Sequence, residues 1–167
     1  TALAITDHGA LYGAFKFYTK AKDAGIKPII GVEVYKAKNS RFDKDTEQDN
    51  DRSHLVLLAK NLTGYKNLMK MVSLAHLEGM HIKPKVDFEL LEKFSEGVIV
   101  LSGCLDGEIS KAILDGQTKV AETILKKYVS IFKDDFYIEL TRHPLDQQLD
   151  NVNAQLIALS RKHAVPV

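Results

Sequence analysis

Short apolar runs of strand type alternate with amphipathic helical segments along most of the sequence. The predicted strands cover residues 3–6, 28–36, 54–60, 97–102 and 136–141. The predicted helices are one from Leu11 that ends at Gly25, one capped by Thr63, a short one capped by Asp87, and three over 107–115, 118–132 and 146–162. This alternation predicts an α/β fold, with a largely parallel sheet or barrel and the helices outside it.

One connection departs from this alternation. Residues 37–53, between the second and third predicted strands, are mainly polar and charged, with one aromatic residue, Phe42, and without a helical pattern, which predicts a solvated loop. Parallel strands need a long crossover, usually a helix, so we predict that these two strands pair in antiparallel fashion through a helix-free link. Such pairing places the end of the second strand and the start of the third at the same edge of the sheet.

Composition narrows the class of protein without indicating its chemistry. The 167 residues suffice for one domain, and 45% hydrophobic with 27% charged residues argue against disorder. Lys and Arg number 23 against 22 Asp and Glu, so a nucleic-acid role needs a local patch or a neighbouring domain. A single cysteine, Cys104, excludes an internal disulfide, and no membrane-spanning run or signal-peptide pattern is visible in these residues. We therefore expect a cytoplasmic domain.

Metal-capable side chains stand at the ends of the predicted strands. His8 closes the first strand, Glu33 interrupts the apolar second strand, and His54 opens the third, while Cys104 follows the fourth. Functional groups gather beyond the carboxyl ends of strands in parallel α/β folds, and the antiparallel pair brings Glu33 and His54 to the same rim. Imidazoles, a thiolate and a carboxylate able to bridge two ions suit zinc or a similar metal. Asp7 is placed to orient His8 as a ligand.

Each of these residues also fits a purely structural role. Cys104 alone is compatible with a small buried apolar side chain, and His54 with a strand-edge histidine hydrogen-bonded to the loop. Residues 7–9 are compatible with a turn and a helix cap. Glu33 fits such a role least well, because burying an unpaired carboxylate costs several kcal/mol.

Longer segments of the sequence resemble a known family. The segment TDHGALYG at residues 6–13 resembles the second motif of the polymerase-and-histidinol-phosphatase (PHP) domain. Three segments resemble the PHP domain of bacterial replicative DNA polymerases: AGIKPIIGVEVY at 24–35, HLVLLAKNLTGYKNL at 54–68 and LSGCLDGEI at 101–109. The resemblance covers essentially the whole chain, including KPKVD at 83–87 and ELTRH at 139–143.

This resemblance implies a fold and a metal site. The implied fold is a distorted (β/α)7 barrel, of which the chain would be part. The implied metal ligands are His8, Glu33, His54 and Cys104, with Glu33 in the bridging position and Asp7 behind the ligands. The implied ions are zinc or manganese, up to three in a full domain, and the implied chemistry is metal-dependent phosphoester hydrolysis with a 3′→5′ proofreading exonuclease role.

The resemblance also implies a larger context. The family's first His-x-His motif and last Asp-x-His motif are not in residues 1–167, so we expect a domain truncated at both ends and inactive alone. The parent would be a DNA-directed DNA polymerase (a nucleotidyltransferase) of bacterial chromosome replication, with its magnesium-dependent polymerase site outside this chain. Implied partners are DNA, a proofreading subunit and a sliding clamp. The alternative function is a non-catalytic module that braces the polymerase or docks a separate proofreading exonuclease.

Overall fold

A computed structural model of the chain describes residues 1–44, 52–142 and 147–167. These residues form a mixed α/β architecture in two compact units, Thr1–Ile99 and Val100–Val167. No helix in the described ranges is both long and apolar enough to traverse a lipid bilayer.

Strands and helices alternate in the first unit. Its elements are β1 (Ala2–His8), α1 (Ala14–Asp23), β2 (Lys27–Lys36), β3 (Ser53–Ala59), α2 (Leu62–Leu77), β4 (Lys85–Val86) and α3 (Phe88–Lys93). Strand β5 (Val98–Leu101) continues from the first unit into the second. The second unit then contains α4 (Glu108–Leu114), α5 (Thr118–Phe132), a 3₁₀ turn (Lys133–Asp135), β6 (Phe136–Tyr137) and α6 (Gln147–His163).

Strand β2 is the centre of the sheet in the first unit. Strand β1 pairs with it in parallel, and β3 pairs with it in antiparallel fashion on the other edge. The short strand β4 pairs in parallel with residues 35 and 36, beyond the last β1 pair at Glu33. The antiparallel β2–β3 link predicted from residues 37–53 is therefore confirmed, although residues 45–51 of the link lie outside the described residues.

Alternate residues of β2 and β3 define the core face of this sheet. Val34 is paired with Leu55 and Val32 with Leu57, and all four side chains are at most 2% exposed. Paired residues point to the same face of a sheet, so the intervening residues of both strands point to the opposite face. That opposite face carries Glu33.

The chain after β2 is fixed by a buried arginine, which corrects the prediction of a fully solvated loop. Arg41 is only 5% exposed and donates to Asp87 (3.0 Å), Glu78 (2.6 Å) and Glu89 (3.1 Å). Burial opposes its charge, but the hydrogen bonds to Glu78 and Glu89 and the charge of Asp87 together raise the pKa of Arg41 above its ordinary range. Lys44 adds hydrogen bonds to two carbonyl oxygens at the end of α2. The described part of the loop is thus tied to the helical layer.

The second unit is built around an aromatic stack. The rings of Tyr128 and Phe136 are stacked with centroids 5.3 Å apart, and Tyr128 donates its hydroxyl proton to Glu108 (2.9 Å). Burial, reinforced by the Glu108 carboxylate, raises the pKa of Tyr128 well above its ordinary value. Strand β6 pairs in parallel with β5, from Val100 opposite Phe136.

Most element predictions hold within a few residues, with four differences. The second long helix is capped by Asn61, whose side chain accepts from the Gly64 N–H (2.9 Å), and not by Thr63. Strand β6 has two residues in place of the predicted six, and the two-residue strand β4 was not predicted. The described strands of neither unit close into a barrel. The Asp87 cap is confirmed by its bond from the Leu90 N–H (3.1 Å).

Candidate metal centre

Two histidines converge on one carboxylate oxygen at the end of β1. His54 Nδ1 lies 2.9 Å from Glu33 Oε1, and His8 Nδ1 lies 3.3 Å from the same oxygen. Glu33 and His54 are mostly buried, whereas the His8 side chain is 64% exposed. The cluster is therefore open to solvent on the His8 side.

The sheet register explains why these three side chains meet. His8 is directly opposite Glu33 across the parallel β1–β2 pair, so both side chains point to the same face. On the other edge of β2, His54 is opposite Tyr35, two residues from Glu33 and therefore on the same face again. The diagonal from His54 to Glu33 is well within the reach of an imidazole.

Tyr35 supports the imidazole of His54. The two rings meet edge to face with centroids 5.4 Å apart, and the His8 ring lies 6.2 Å from that of His54. Tyr35 is buried, so its ring packs in a fixed position beside the cluster of His8, Glu33 and His54.

A tight turn after β1 holds the backbone next to His8. Gly9 has a φ of +63°, a region that favours glycine, and an added Cβ would lie 2.9 Å from Pro84 Cγ. The Gly9 N–H donates to the Glu33 carbonyl (2.8 Å). Its carbonyl accepts from Nε2 of His76 in α2 (2.8 Å), which fixes the tautomer of that ring. His76 was not among the predicted site residues, because no sequence pattern indicates that a residue of α2 contacts the turn after β1.

Asp7 has a hydrogen bond that supports the helix-cap alternative. Its Oδ2 accepts from the Gly13 N–H (2.7 Å), immediately before α1. Adjacent strand residues point to opposite faces, and the Ile5 side chain approaches the same Gly13. Orientation of His8 by Asp7 thus stays a prediction.

Cys104 belongs to the second unit, in the turn that follows β5. Its side chain is half-buried, and its carbonyl accepts from the Gly107 N–H (2.9 Å). A carboxylate oxygen of the exposed Asp106 lies within 4.8 Å of the cysteine sulfur. Asp106 was not among the predicted site residues, although its position two residues after a candidate cysteine was a signal for it.

Comparison with known proteins identifies the family. A profile of the PHP domain matches residues 1–143. The chain belongs to the PHP domain family. Proteins named DNA polymerase III subunit alpha from Borreliella burgdorferi, Thermus aquaticus and Aquifex aeolicus are 48%, 47% and 43% identical to it. These matches cover 99%, 98% and 98% of this chain but only 14%, 14% and 15% of the relatives, so the chain spans about a seventh of their length.

The donor set of this PHP domain fits a metal ion chemically. Each of two imidazole nitrogens lies within hydrogen-bond distance of one carboxylate oxygen or close to it, and these are ordinary ligands of zinc and of manganese. Neutral imidazoles can donate one lone pair each, and an ionised carboxylate can bridge.

Proposed function

We propose that this chain is the PHP segment of a bacterial DNA polymerase III alpha subunit and that His8, Glu33 and His54 form part of its metal site. The observation that carries the proposal is the convergence of both Nδ1 atoms on Glu33 Oε1. The relatives support it because they share one name over nearly all of this chain. DNA-directed DNA polymerisation belongs in this proposal to the remainder of the subunit, together with its magnesium ions.

The proposed reaction of the PHP site is hydrolysis of a phosphodiester, in the direction 3′→5′. Zinc or manganese, when bound, would activate water and stabilise the charge that develops on the phosphate. Glu33 holds its oxygen between the two imidazoles and thereby keeps both rings aimed at one point. The hydrogen bonds from His76 to the Gly9 carbonyl and from the Gly9 N–H to the Glu33 carbonyl hold the turn next to His8. Ligands whose backbone is held in this way favour metal affinity and precise geometry.

Three finer statements also belong to the proposal. Cys104 would be a further ligand, an assignment that comes from the family resemblance alone. The alternating strands and helices would be part of a distorted (β/α)7 barrel, as the same resemblance implies. The whole subunit would act in the cytoplasm with DNA, a proofreading subunit and a sliding clamp.

A second candidate is a non-catalytic module that braces the polymerase. Exposed apolar side chains close together in the sequence favour it, since Tyr12 is 87% exposed and Phe15 is 83% exposed. Exposed apolar side chains that form a patch mark surfaces on which another protein packs. Both candidates predict a folded domain within a polymerase, but only the first predicts hydrolysis.

The experiment compares wild-type and Glu33→Gln forms of the full polymerase subunit that contains this chain. We expect Glu33→Gln to abolish chelator-sensitive 3′→5′ degradation of single-stranded DNA while leaving nucleotide incorporation intact. The matched control is Glu89→Gln, a carboxylate of the same unit whose side chain is 68% exposed. Metal binding without any degradation by the wild type would favour the bracing module. The isolated 167-residue chain, tested in parallel, is expected to be inactive.

A further inference from the structure

We propose that Lys83, assisted by Arg52, binds a backbone phosphate of single-stranded nucleic acid next to the His8–Glu33–His54 cluster. This inference rests on the proposed function, because it identifies how the same site would hold its substrate. Both cations lie over the ring of Tyr35, with Lys83 Nζ 5.4 Å and Arg52 Cζ 5.6 Å from its centroid. Tyr35 in turn contacts His54, so one aromatic ring separates the two cations from the metal cluster.

The two residues that follow Lys83 hold its backbone in place. The next residue, Pro84, packs against Gly9, the residue that follows His8. After it, Lys85 is paired with Tyr35 in the sheet, and its buried ammonium donates to the Asp43 carbonyl (2.7 Å). Lys83 therefore projects from a rigid segment beside the site, and only its side chain must be ordered when a ligand binds.

The charge of Lys83 is available to an anion. Its side chain is exposed, and among the residues that the structure describes its ammonium contacts the face of Tyr35. An exposed cation–π contact is weak, and a charge-assisted hydrogen bond to a phosphate is stronger. Lysine and arginine at one ring also offer complementary chemistry, a point charge and a planar fork, for the oxygens of a phosphate.

The observations favour a nucleic-acid phosphate over a free phosphate ion. The chain as a whole has a net charge of only +1, so a local pair of cations is the kind of patch that a nucleic-acid role requires. The face of Tyr35 is already covered by these cations, which leaves backbone phosphate contact rather than base stacking as the recognition mode.

The test measures binding of a fluorescent single-stranded oligonucleotide to the 167-residue chain by anisotropy, across a salt series without added metal. We expect Lys83→Gln to weaken binding about tenfold and to lower the slope of log affinity against log salt by about 0.7. Lys83→Arg should restore most of the affinity. The matched control is Lys70→Gln, which removes another exposed lysine near an aromatic ring, that of Phe94 at 5.8 Å. It should bind as the wild type does.

Competition and zinc titration make the outcomes distinct. Stronger competition by an unlabelled oligonucleotide than by inorganic phosphate supports the proposal, and equal competition at equal phosphate concentration overturns the nucleic-acid assignment. Equal losses in Lys83→Gln and Lys70→Gln, or no oligonucleotide binding by the wild type, would overturn it altogether.

Zinc titration separates this proposal from the proposed metal site. Unchanged zinc affinity in Lys83→Gln is expected. If the wild type binds no zinc but Lys83→Gln still loses oligonucleotide affinity, the metal site fails and the phosphate contact stands.

Discussion

His76 shows how a residue outside the cluster can determine its geometry. Its Nε2–H donates to the carbonyl of Gly9, and the Gly9 N–H donates to the Glu33 carbonyl. The His76 imidazole therefore anchors the turn that follows His8. The turn has a positive φ at Gly9, and few residue types can adopt it. An anchored turn keeps the His8 ring near Glu33 even though the ring itself is largely exposed.

We therefore expect His76→Leu to weaken zinc binding by about tenfold, because loss of the anchor lets the His8 backbone move. His76→Gln retains an N–H donor at a similar distance and should recover much of the affinity. Isothermal titration calorimetry of the three proteins measures this. The same zinc affinity in all three, together with a lower melting temperature for His76→Leu, would assign His76 to fold stability only.

At the scale of single elements, the structure shows which of two candidate residues caps the start of α2, a choice that the sequence alone does not decide. Asn61 and Thr63 are both suitable N-cap types, but only the Asn61 side chain accepts from the Gly64 N–H. Gly64 also packs against Gly97, and a Cβ added to Gly64 would clash with the Gly97 carbonyl oxygen. The helix start is thus determined by a contact between segments distant in the sequence.

Asn61→Ala should lower the free energy of unfolding by about 1 kcal/mol, the usual value of an N-cap. Thr63→Ala should change it by less than about 0.5 kcal/mol. Urea unfolding of both variants tests the assignment. A larger loss from Thr63→Ala than from Asn61→Ala would show that the helix begins two residues later.

Two helices of the second unit are joined by a carboxylate whose pKa is strongly lowered. Lys126 of α5 (2.8 Å) and Lys162 of α6 (2.7 Å) both contact Glu122 and lower its pKa from 4.5 to about 2. Because the pKa of Glu122 is lower in the folded state than in the unfolded state, its ionised carboxylate stabilises the fold at any pH above the unfolded-state pKa. That contribution is lost as the pH falls through the folded-state pKa.

The melting temperature of the wild type should therefore exceed that of Glu122→Gln at neutral pH, and the difference should shrink between about pH 4.5 and pH 2. Thermal unfolding by circular dichroism across this range measures the difference, with Glu92→Gln, which changes another exposed carboxylate, as the control. A difference that stays constant down to pH 2 would show that the Glu122 charge does not stabilise the fold.

At the scale of the whole molecule, local signals predicted the alternating elements and the edge of the sheet at which Glu33 and His54 meet. The polar link between β2 and β3 has no helix, and that absence alone predicted the antiparallel pair that brings Glu33 and His54 together. Arg41 was assigned to a solvated loop because its partner Asp87 lies 46 residues away and no local pattern records such a pair. Strand β4 has two residues, too few for a periodic signal, and it exists because β2 offers a free edge beyond β1. The burial of Arg41 and the existence of β4 therefore depend on tertiary contacts, which the local sequence pattern does not record.

The central claim is that His8, Glu33 and His54 bind a metal ion together. Zinc titration of the 167-residue chain by calorimetry, with metal content measured after dialysis, tests it most directly. We expect the wild type to retain zinc and Glu33→Gln, which removes the carboxylate charge shared by both imidazoles, to lose at least about tenfold in affinity. Glu89→Gln, which changes an exposed carboxylate, should bind zinc as the wild type does. Equal zinc binding by wild type and Glu33→Gln, or no binding by either, would show that these three residues do not form a metal site.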